Sequence, residues 1–159
     1  MQNNLPPQVE FVRTDEGDAG FLELVKILDA ELAVRDGVDH SFYAQFNEPV
    51  GLAGVVLAMQ GRMPVGCGAF KKYEDGVAEI KRMFVLPGHR GRRIAAGVLK
   101  ELEDWAAEMG LHEFILETGY KQPEAIALYK RSGYEVIDNY GQYIDVENSV
   151  CMRKVIVPR

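Results

Sequence analysis

The sequence predicts an α/β protein built on a mixed sheet, in the order β-α-β-β-β-α-β-α-β-β, with one central parallel crossover. Three observations carry that prediction. Between residues 51 and 86, three apolar stretches are separated only by "GRM" and "EDG", the pattern of an antiparallel meander. A helical pattern after residue 93 then leads into a short apolar stretch, "EFILET". A helix joining two strands of one sheet makes them parallel, with a right-handed connection. Lastly, 159 residues make one domain of ordinary size, long enough to bury a core.

Each element has its own signal. Residues 1–8, with Pro6 and Pro7, read as a flexible tail of a single domain spanning 1–159. "VEFVRT" alternates as a strand does. From Asp18 to Val34 the apolar residues Phe21, Leu24, Val25, Leu28 and Leu32 recur at three and four, and Asp18 suits the N-cap. "RDGVDHSFYAQFN" follows as a loop with a short helix. The meander strands are "GLAGVVLAMQ", "PVGCGAFKKY" and "VAEIKRMFVL", with Asp75-Gly76 as a hairpin turn and Pro87-Gly88 as the stop. In the next helix Ile94, Val98, Leu102, Trp105 and Met109 share one face, while Lys100, Glu101, Glu103, Asp104 and Glu108 take the polar one. Gly110 ends it. After "EFILET", Pro123 opens a helix through Tyr129 that Gly133 closes, and "YEVI" and "SVCMRKVIV" are the last strands.

Composition narrows the function. Nearly half the residues are apolar and a quarter are charged, as in a soluble globular protein. The longest apolar run, Val50 to Met59, is about half a membrane span. The N-terminus has neither a basic start nor an apolar segment of a secretory signal, so a cytoplasmic protein is expected. Cys67 and Cys151 have no metal or redox spacing and the histidines are scattered, so no metal is expected. The net charge of −6 argues against nucleic acid as a partner. Yet residues 81 to 100 hold six of the eighteen basic residues, Lys81, Arg82, Arg90, Arg92, Arg93 and Lys100, and no acid. A local basic patch on an acidic chain suits a small anionic ligand; the plainer reading is a solvated helix start.

That patch lies on "VLPGHRGRRIAAGVLKELEDWA", a strand end, a turn and a helix start. The first amides of a helix have no internal partners and the dipole adds positive charge there, so a phosphate is a natural occupant. Gly91 lets the backbone approach an anion closely, and Ala95 is small.

"EIKRMFVLPGHRGRRIAAGVL" resembles motif A of the GNAT superfamily of N-acetyltransferases, R/Q-x-x-G-x-G/A after a strand ending V-x-P. Arg90 and Ala95 match its ends, and Val85 and Pro87 match the strand end. Arg93 departs from the usual glycine, and an L-residue there keeps a helical turn if its φ is negative. "QPEAIALYKRSGYEV" resembles motif B, N-x-x-A-x-x-L-Y-x-x-x-G-F, through Ala125, Leu128, Tyr129 and Gly133, with Gln122 for Asn and Tyr134 for Phe. The resemblance is good from about residue 50 to 157 and loose before that.

It implies a mostly antiparallel sheet with a splayed central parallel strand pair flanked by helices, and acetyl-CoA as co-substrate in the splay. It implies cofactor contacts on Met83, Phe84, Val85, His89, Arg90, Gly91, Arg92, Arg93, Ile94, Ala95, Thr118, Gln122, Glu124 and Ala125. Tyr129 matches the tyrosine that faces the sulfur as general acid, and otherwise reads as a core tyrosine. Glu79 matches a strand glutamate used as base; it shares strand parity with Met83 and Val85, so it faces the same cleft unless a bulge intervenes. Glu117, directly or through water, is the rival base, and the Val85 amide is the implied oxyanion donor.

The acceptor side of such a fold carries Asp29, Glu31, Asp36, Asp39, Phe42, Tyr43 and Phe46, then Tyr140, Tyr143, Asp145 and Glu147. Phe42, Tyr43, Glu117 and Tyr143 are the acceptor-binding candidates. Acids with aromatics suit a cationic amine; a solvated acidic surface is the plain alternative. The expected reaction is acetyl transfer to a primary amine of a small molecule by direct attack in a ternary complex. The alternatives are a protein or peptide amine as acceptor, or a CoA-binding regulatory module without turnover. A monomer or a homodimer is compatible with the sequence.

Overall fold

The computed structural model describes residues 8–37 and 51–156. Among the described residues, seven strands and three α-helices follow the expected order: β1 (Val9–Thr14), α1 (Ala19–Asp36), β2 (Gly54–Gln60), β3 (Met63–Glu74), β4 (Val77–Val85), α2 (Ile94–Glu108), β5 (Glu113–Gly119), α3 (Pro123–Arg131), β6 (Glu135–Ile137) and β7 (Ser149–Val155). Short 3₁₀ turns lie at Pro87–His89 and Gly141–Tyr143. The strands form one sheet in the order β1-β2-β3-β4-β5-β7-β6. Among the described strands, only β4 and β5 pair in parallel. No helix among the described residues is long and apolar enough to cross a membrane.

The helices cover both faces. Asp18 caps α1, accepting from the Phe21 amide at 3.0 Å, which satisfies an otherwise orphaned donor. Phe21, Leu24, Val25 and Leu28 then bury against Val55, Leu57, Cys67, Ala69 and Phe84 on one face of the sheet. On the other face Ile94, Val98, Leu99 and Leu102 of α2 meet Val56, Val65, Phe70, Ile80, Val85, Phe114 and Leu116, with Tyr129 of α3 in the same cluster. The α1 stripe is the one read from the periodicity; on α2 it holds at Ile94, Val98 and Leu102, with Leu99 and Ala106 buried beside them and Trp105 only partly buried. The acidic face of α2 is not wholly solvated, however. Glu103 is 3 % exposed and accepts from Tyr134 Oη and Lys154 Nζ, each at 2.8 Å. Met109, at the C-cap, is exposed.

β4 is irregular where it matters. It pairs with β3 as Phe70–Ile80 and Ala69–Lys81, then as Cys67–Phe84 and Gly66–Val85. Two residues, Arg82 and Met83, therefore oppose the single Gly68, which is a β-bulge, and Arg82 takes a positive φ of 59° there. A bulge inverts the side-chain alternation beyond it.

Candidate active site

The site begins where two strands part. β4 and β5 pair at Val77–Glu113, Ala78–Phe114 and Glu79–Ile115, and their ladder stops there. Beyond it lies a cavity of about 120 Å³ between the diverging strands. Met83, Thr118, Gln122, Ala125 and Tyr129 line it, with Leu28, Leu32, Lys81, Arg82, Glu117 and Tyr143. Alternation along β5 places Glu117 on the α1 face, opposite Phe114 and Leu116, which pack against α2. Pockets for drug-sized ligands run to about 300–1,000 Å³, so this space suits the end of one ligand meeting a small second one.

The bulge decides which backbone and side chains face the cavity. Leu86 N donates to Val65 O at 2.9 Å, which makes Leu86 and Val65 a hydrogen-bonded pair. In an antiparallel ladder such pairs alternate, so the N–H and C=O of Val85 point away from β3, toward the β5 side. The Val85 carbonyl accepts Arg90 Nε at 2.9 Å.

The parity of Glu79 with Met83 and Val85 is broken by the same bulge. Met83 and Val85 belong to the α2 face, whereas Glu79 lies on the α1 face and does not line the cavity. Its carboxylate is 1 % exposed. Tyr140 Oη donates to one oxygen at 2.5 Å. The other sits 3.6 Å from Lys71 Nζ and 3.7 Å from Lys81 Nζ. Burial, then the charge of Glu79, pushes the Tyr140 hydroxyl well above the usual tyrosine range. The arrangement holds a charge in place rather than offering it to a ligand.

Tyr129 and Glu117 do reach the cavity. Tyr129 is 6 % exposed, and burial followed by the nearby Glu117 charge raises its pKa well above the ordinary range, so it keeps its proton. Tyr134 meets its ring edge-on at 5.8 Å and is itself tied to Glu103. Glu117 accepts from Ser149 Oγ at 2.5 Å. Tyr143, buried, is likewise held protonated by burial and by the charges of Glu117 and Glu79. Phe42 and Tyr43 lie outside the described residues.

The basic turn is built with more strain than its sequence implies. Gly91 has φ 81°, and Arg93, the N-cap of α2, has φ 62°. The negative φ expected for an L-residue there is not what the chain adopts; a left-handed N-cap reverses the chain into the helix, as the glycine of the pattern would. Ile94 is buried in the α2-side core and Ala95 packs against it. Arg92 and Arg93 are exposed. Arg90 is engaged: its Nη2 holds both oxygens of Glu31 at 3.0 and 2.9 Å, and its guanidinium lies 5.6 Å over the Phe84 ring. Glu31 also meets Arg35 at 3.4 Å, and Arg35 pairs with Glu124 at the start of α3. His89 turns to Gln60 on β2, with 3.0 Å between Nε2 and Oε1. The side chains of Thr118, Gln122 and Ala125 line the cavity, whereas Glu124 faces Arg35.

Two expectations about charge change as a result. Asp29 and Glu31 are paired with Arg82 and Arg90, so they do not present a bare acidic face to a cationic acceptor. Arg82, read from the sequence only as part of the basic run, and Lys81, read there also as a partner for Glu79, stand in the cavity wall. Lys81 does sit 3.7 Å from Glu79. The register of the bulge brings in Arg82, and the end of the β4–β5 ladder leaves Glu79 below the opening.

The family model for the acetyltransferase (GNAT) family matches residues 21–134. An IAA acetyltransferase of Azospirillum brasilense is 39% identical over 100 residues, 62% of this chain and 65% of the relative, so the chain spans about two-thirds of that relative's length. Among solved structures, a candidate acyl-CoA N-acyltransferase from Klebsiella pneumoniae superposes with a TM-score of 0.79 at 30% identity, over 94% of this chain and 99% of that one. PaiA N-acetyltransferase from Thermoplasma acidophilum, solved with coenzyme A, shares the fold at a TM-score of 0.70 and 17% identity, over 93% and 99% of the two chains. With the parted β4–β5 pair, the turn before α2 and a family match over most of its length, the chain belongs to the GNAT family of acetyltransferases.

Proposed function

We propose that this protein transfers the acetyl group of acetyl-CoA to the primary amine of a small molecule, by direct attack while both substrates are bound. The observation that carries this reading is the parting of β4 from β5, with the Val85 amide turned to the gap and Tyr129 in its wall. The residues present fit the co-substrate. The free edge of β4 from Met83 to Val85 offers backbone groups to an extended arm, as a sheet edge does. The turn from Arg90 to Ala95, with Arg92 and Arg93 exposed, offers amides and positive charge to a pyrophosphate. Acetyl-CoA supplies the activated acyl carbon; the chain supplies position, an oxyanion donor and proton transfers.

An ammonium acceptor loses one proton to Glu117, directly or through water, and the freed nitrogen lone pair attacks the thioester carbon. A C–N bond forms and the carbonyl oxygen takes the negative charge, facing the Val85 N–H. The C–S bond then breaks, Tyr129 gives its proton to the departing sulfur, and the second amine proton returns to the tyrosinate. The products are an N-acetyl amine, free CoA thiol and one released proton. Glu117 is preferred to Glu79 as base because it reaches the cavity. The two free cysteines, both buried, fit a reducing, cytoplasmic setting.

Thiol release from acetyl-CoA, followed over amino acids, polyamines, amino sugars and short peptides, tests the reading. Release with a small amine is expected. Acetyl-CoA binding without release for any amine would leave a binding module instead.

A further inference from the structure

The cavity wall on the α1 side is not what a simple amine needs. A cationic acceptor calls for a carboxylate and aromatic rings, and Glu117 and Tyr143 are there. Yet the wall also carries Lys81 and Arg82. Arg82 is the unusual member. Its side chain is 2 % exposed, and a guanidinium has five N–H donors. Its Nη2 donates to Asp29 at 2.6 Å, but Asp29 is half exposed and sits on α1. Its Nε is buried with no hydrogen-bond partner. Buried donors are normally satisfied, and an unpartnered one on a side chain of the cavity wall leaves bonding capacity that a ligand would complete once the side chain turns to it. Arginine in particular matches a planar carboxylate.

The sheet explains how opposite charges come to share this wall. Lys81 lies two residues past Glu79, and Glu117 two residues past Ile115, where the parallel ladder ends. Both residues thus occupy the same face, on either side of the gap. The bulge adds Arg82 to the β4 side. One bank of the opening is cationic and the other carries a carboxylate and a tyrosine hydroxyl.

We propose that the acceptor is zwitterionic, a primary amine bearing a carboxylate such as an amino acid, with its carboxylate on Arg82 beside Lys81 and its amine toward Glu117. This rests on the acetyltransferase reading and names its substrate class. Arg82 acts as the specificity determinant: it orients the acceptor and does not enter the chemical step. A zwitterion adds no net charge to a wall already holding both signs, whereas a polyamine leaves the Arg82 Nε without a partner and adds repulsion.

The test compares matched acceptors on the unaltered protein. Thiol release is measured with a set of amino acids, with the amide of each, and with the amine lacking the carboxyl group. The free acid is expected to exceed both analogues in kcat/KM by at least about tenfold, mainly through KM, because a site built around a polar group discriminates strongly against its absence. In Arg82→Gln the ratio of acid to amide is expected to fall toward one. Equal or better turnover of the amide or of the decarboxylated amine overturns the proposal and leaves the acetyltransferase reading intact. So does an Arg82→Gln protein that loses acetyl-CoA affinity while keeping the acid-to-amide ratio, since the anion would then belong to the cofactor. Binding of acetyl-CoA with no release for any amine overturns the acetyltransferase reading itself. The acid-to-amide comparison needs no variant, so a poorly folding Arg82→Gln does not block the decision.

Discussion

Single residues set the proposed chemistry at Tyr129 and the backbone strain at Arg93. Tyr129 stays protonated because burial and the Glu117 charge disfavour its anion. Its pKa lies above the ordinary value of about 10, so its acid form persists below that pH. The pH profile of kcat is therefore expected to show no alkaline fall before about pH 10; a falling limb in the neutral range would remove Tyr129 as the acid. Tyr129→Phe is expected to lower kcat by about 10²-fold or more, within the range for general acid catalysis, with acetyl-CoA affinity retained by titration. Arg93 holds φ 62° at the N-cap of α2. A left-handed L-residue costs about 1–2 kcal/mol, so Arg93→Gly is expected to raise the thermal midpoint by a few degrees. The same change removes a positive charge from the turn, so it should also raise KM for acetyl-CoA. A lowered midpoint would contradict the strain assignment.

Among the elements, β4 and α2 depend on two local features. Gly68 is the lone residue opposite the bulge, and a Cβ there would lie 2.5 Å from Met83 Sδ, 2.8 Å from Val98 and 2.9 Å from Leu102. Gly68→Ala is thus expected to destabilise by about 1–3 kcal/mol, measured by denaturant unfolding, because overpacking pushes β3 off α2 and disturbs the wall at Met83. Glu103 ties α2 to β7 through Lys154 and to the residue before β6 through Tyr134. Glu103→Ala leaves two donors without their acceptor, and a loss of about 1.5–3 kcal/mol is expected for a hydrogen-bonded charge of this kind. Since Tyr134 backs the ring of Tyr129, the same variant should lose kcat while keeping acetyl-CoA affinity. Full activity would show that Tyr129 needs no such support.

Across the whole molecule, α1 is linked to the other two parts of the site by charge. Glu31 holds Arg90 of the basic turn, and Arg35 joins Glu31 to Glu124 of α3. Glu31 is thus an anion already resting on the arginine that a pyrophosphate would use. Exposed pairs of this kind are worth about 0.2–1 kcal/mol. Glu31→Gln is therefore expected to tighten acetyl-CoA binding by up to about fivefold, read by titration at low salt, with the gain shrinking as ionic strength rises. Weaker binding would mean that Glu31 instead holds Arg90 in place for its ligand.

The sequence by itself determined the element order, the parallel crossover, the apolar stripes of α1 and α2, the Asp18 cap and the family. Those features rest on local period, on turn residues and on motifs of contiguous residues, and each is legible without knowing what lies across the sheet. The same motifs and strand ends pointed to Tyr129 and Glu117, which line the cavity. Only the tertiary structure decided which faces the charged residues take. One extra residue in β4, at Arg82, broke the parity of Glu79 with Met83 and Val85 and brought Arg82 into the cavity wall, while Glu79 stayed in the closed part of the β4–β5 ladder beneath Tyr140. No sequence period marks that insertion, because it is defined by pairing with β3. The partners of Arg90, Glu103 and Asp29 were hidden likewise, since their ion pairs span 59, 51 and 53 residues. Short-range rules reach only three or four positions along a helix, or the facing residue of a hairpin; the charges that complete this site meet across the fold.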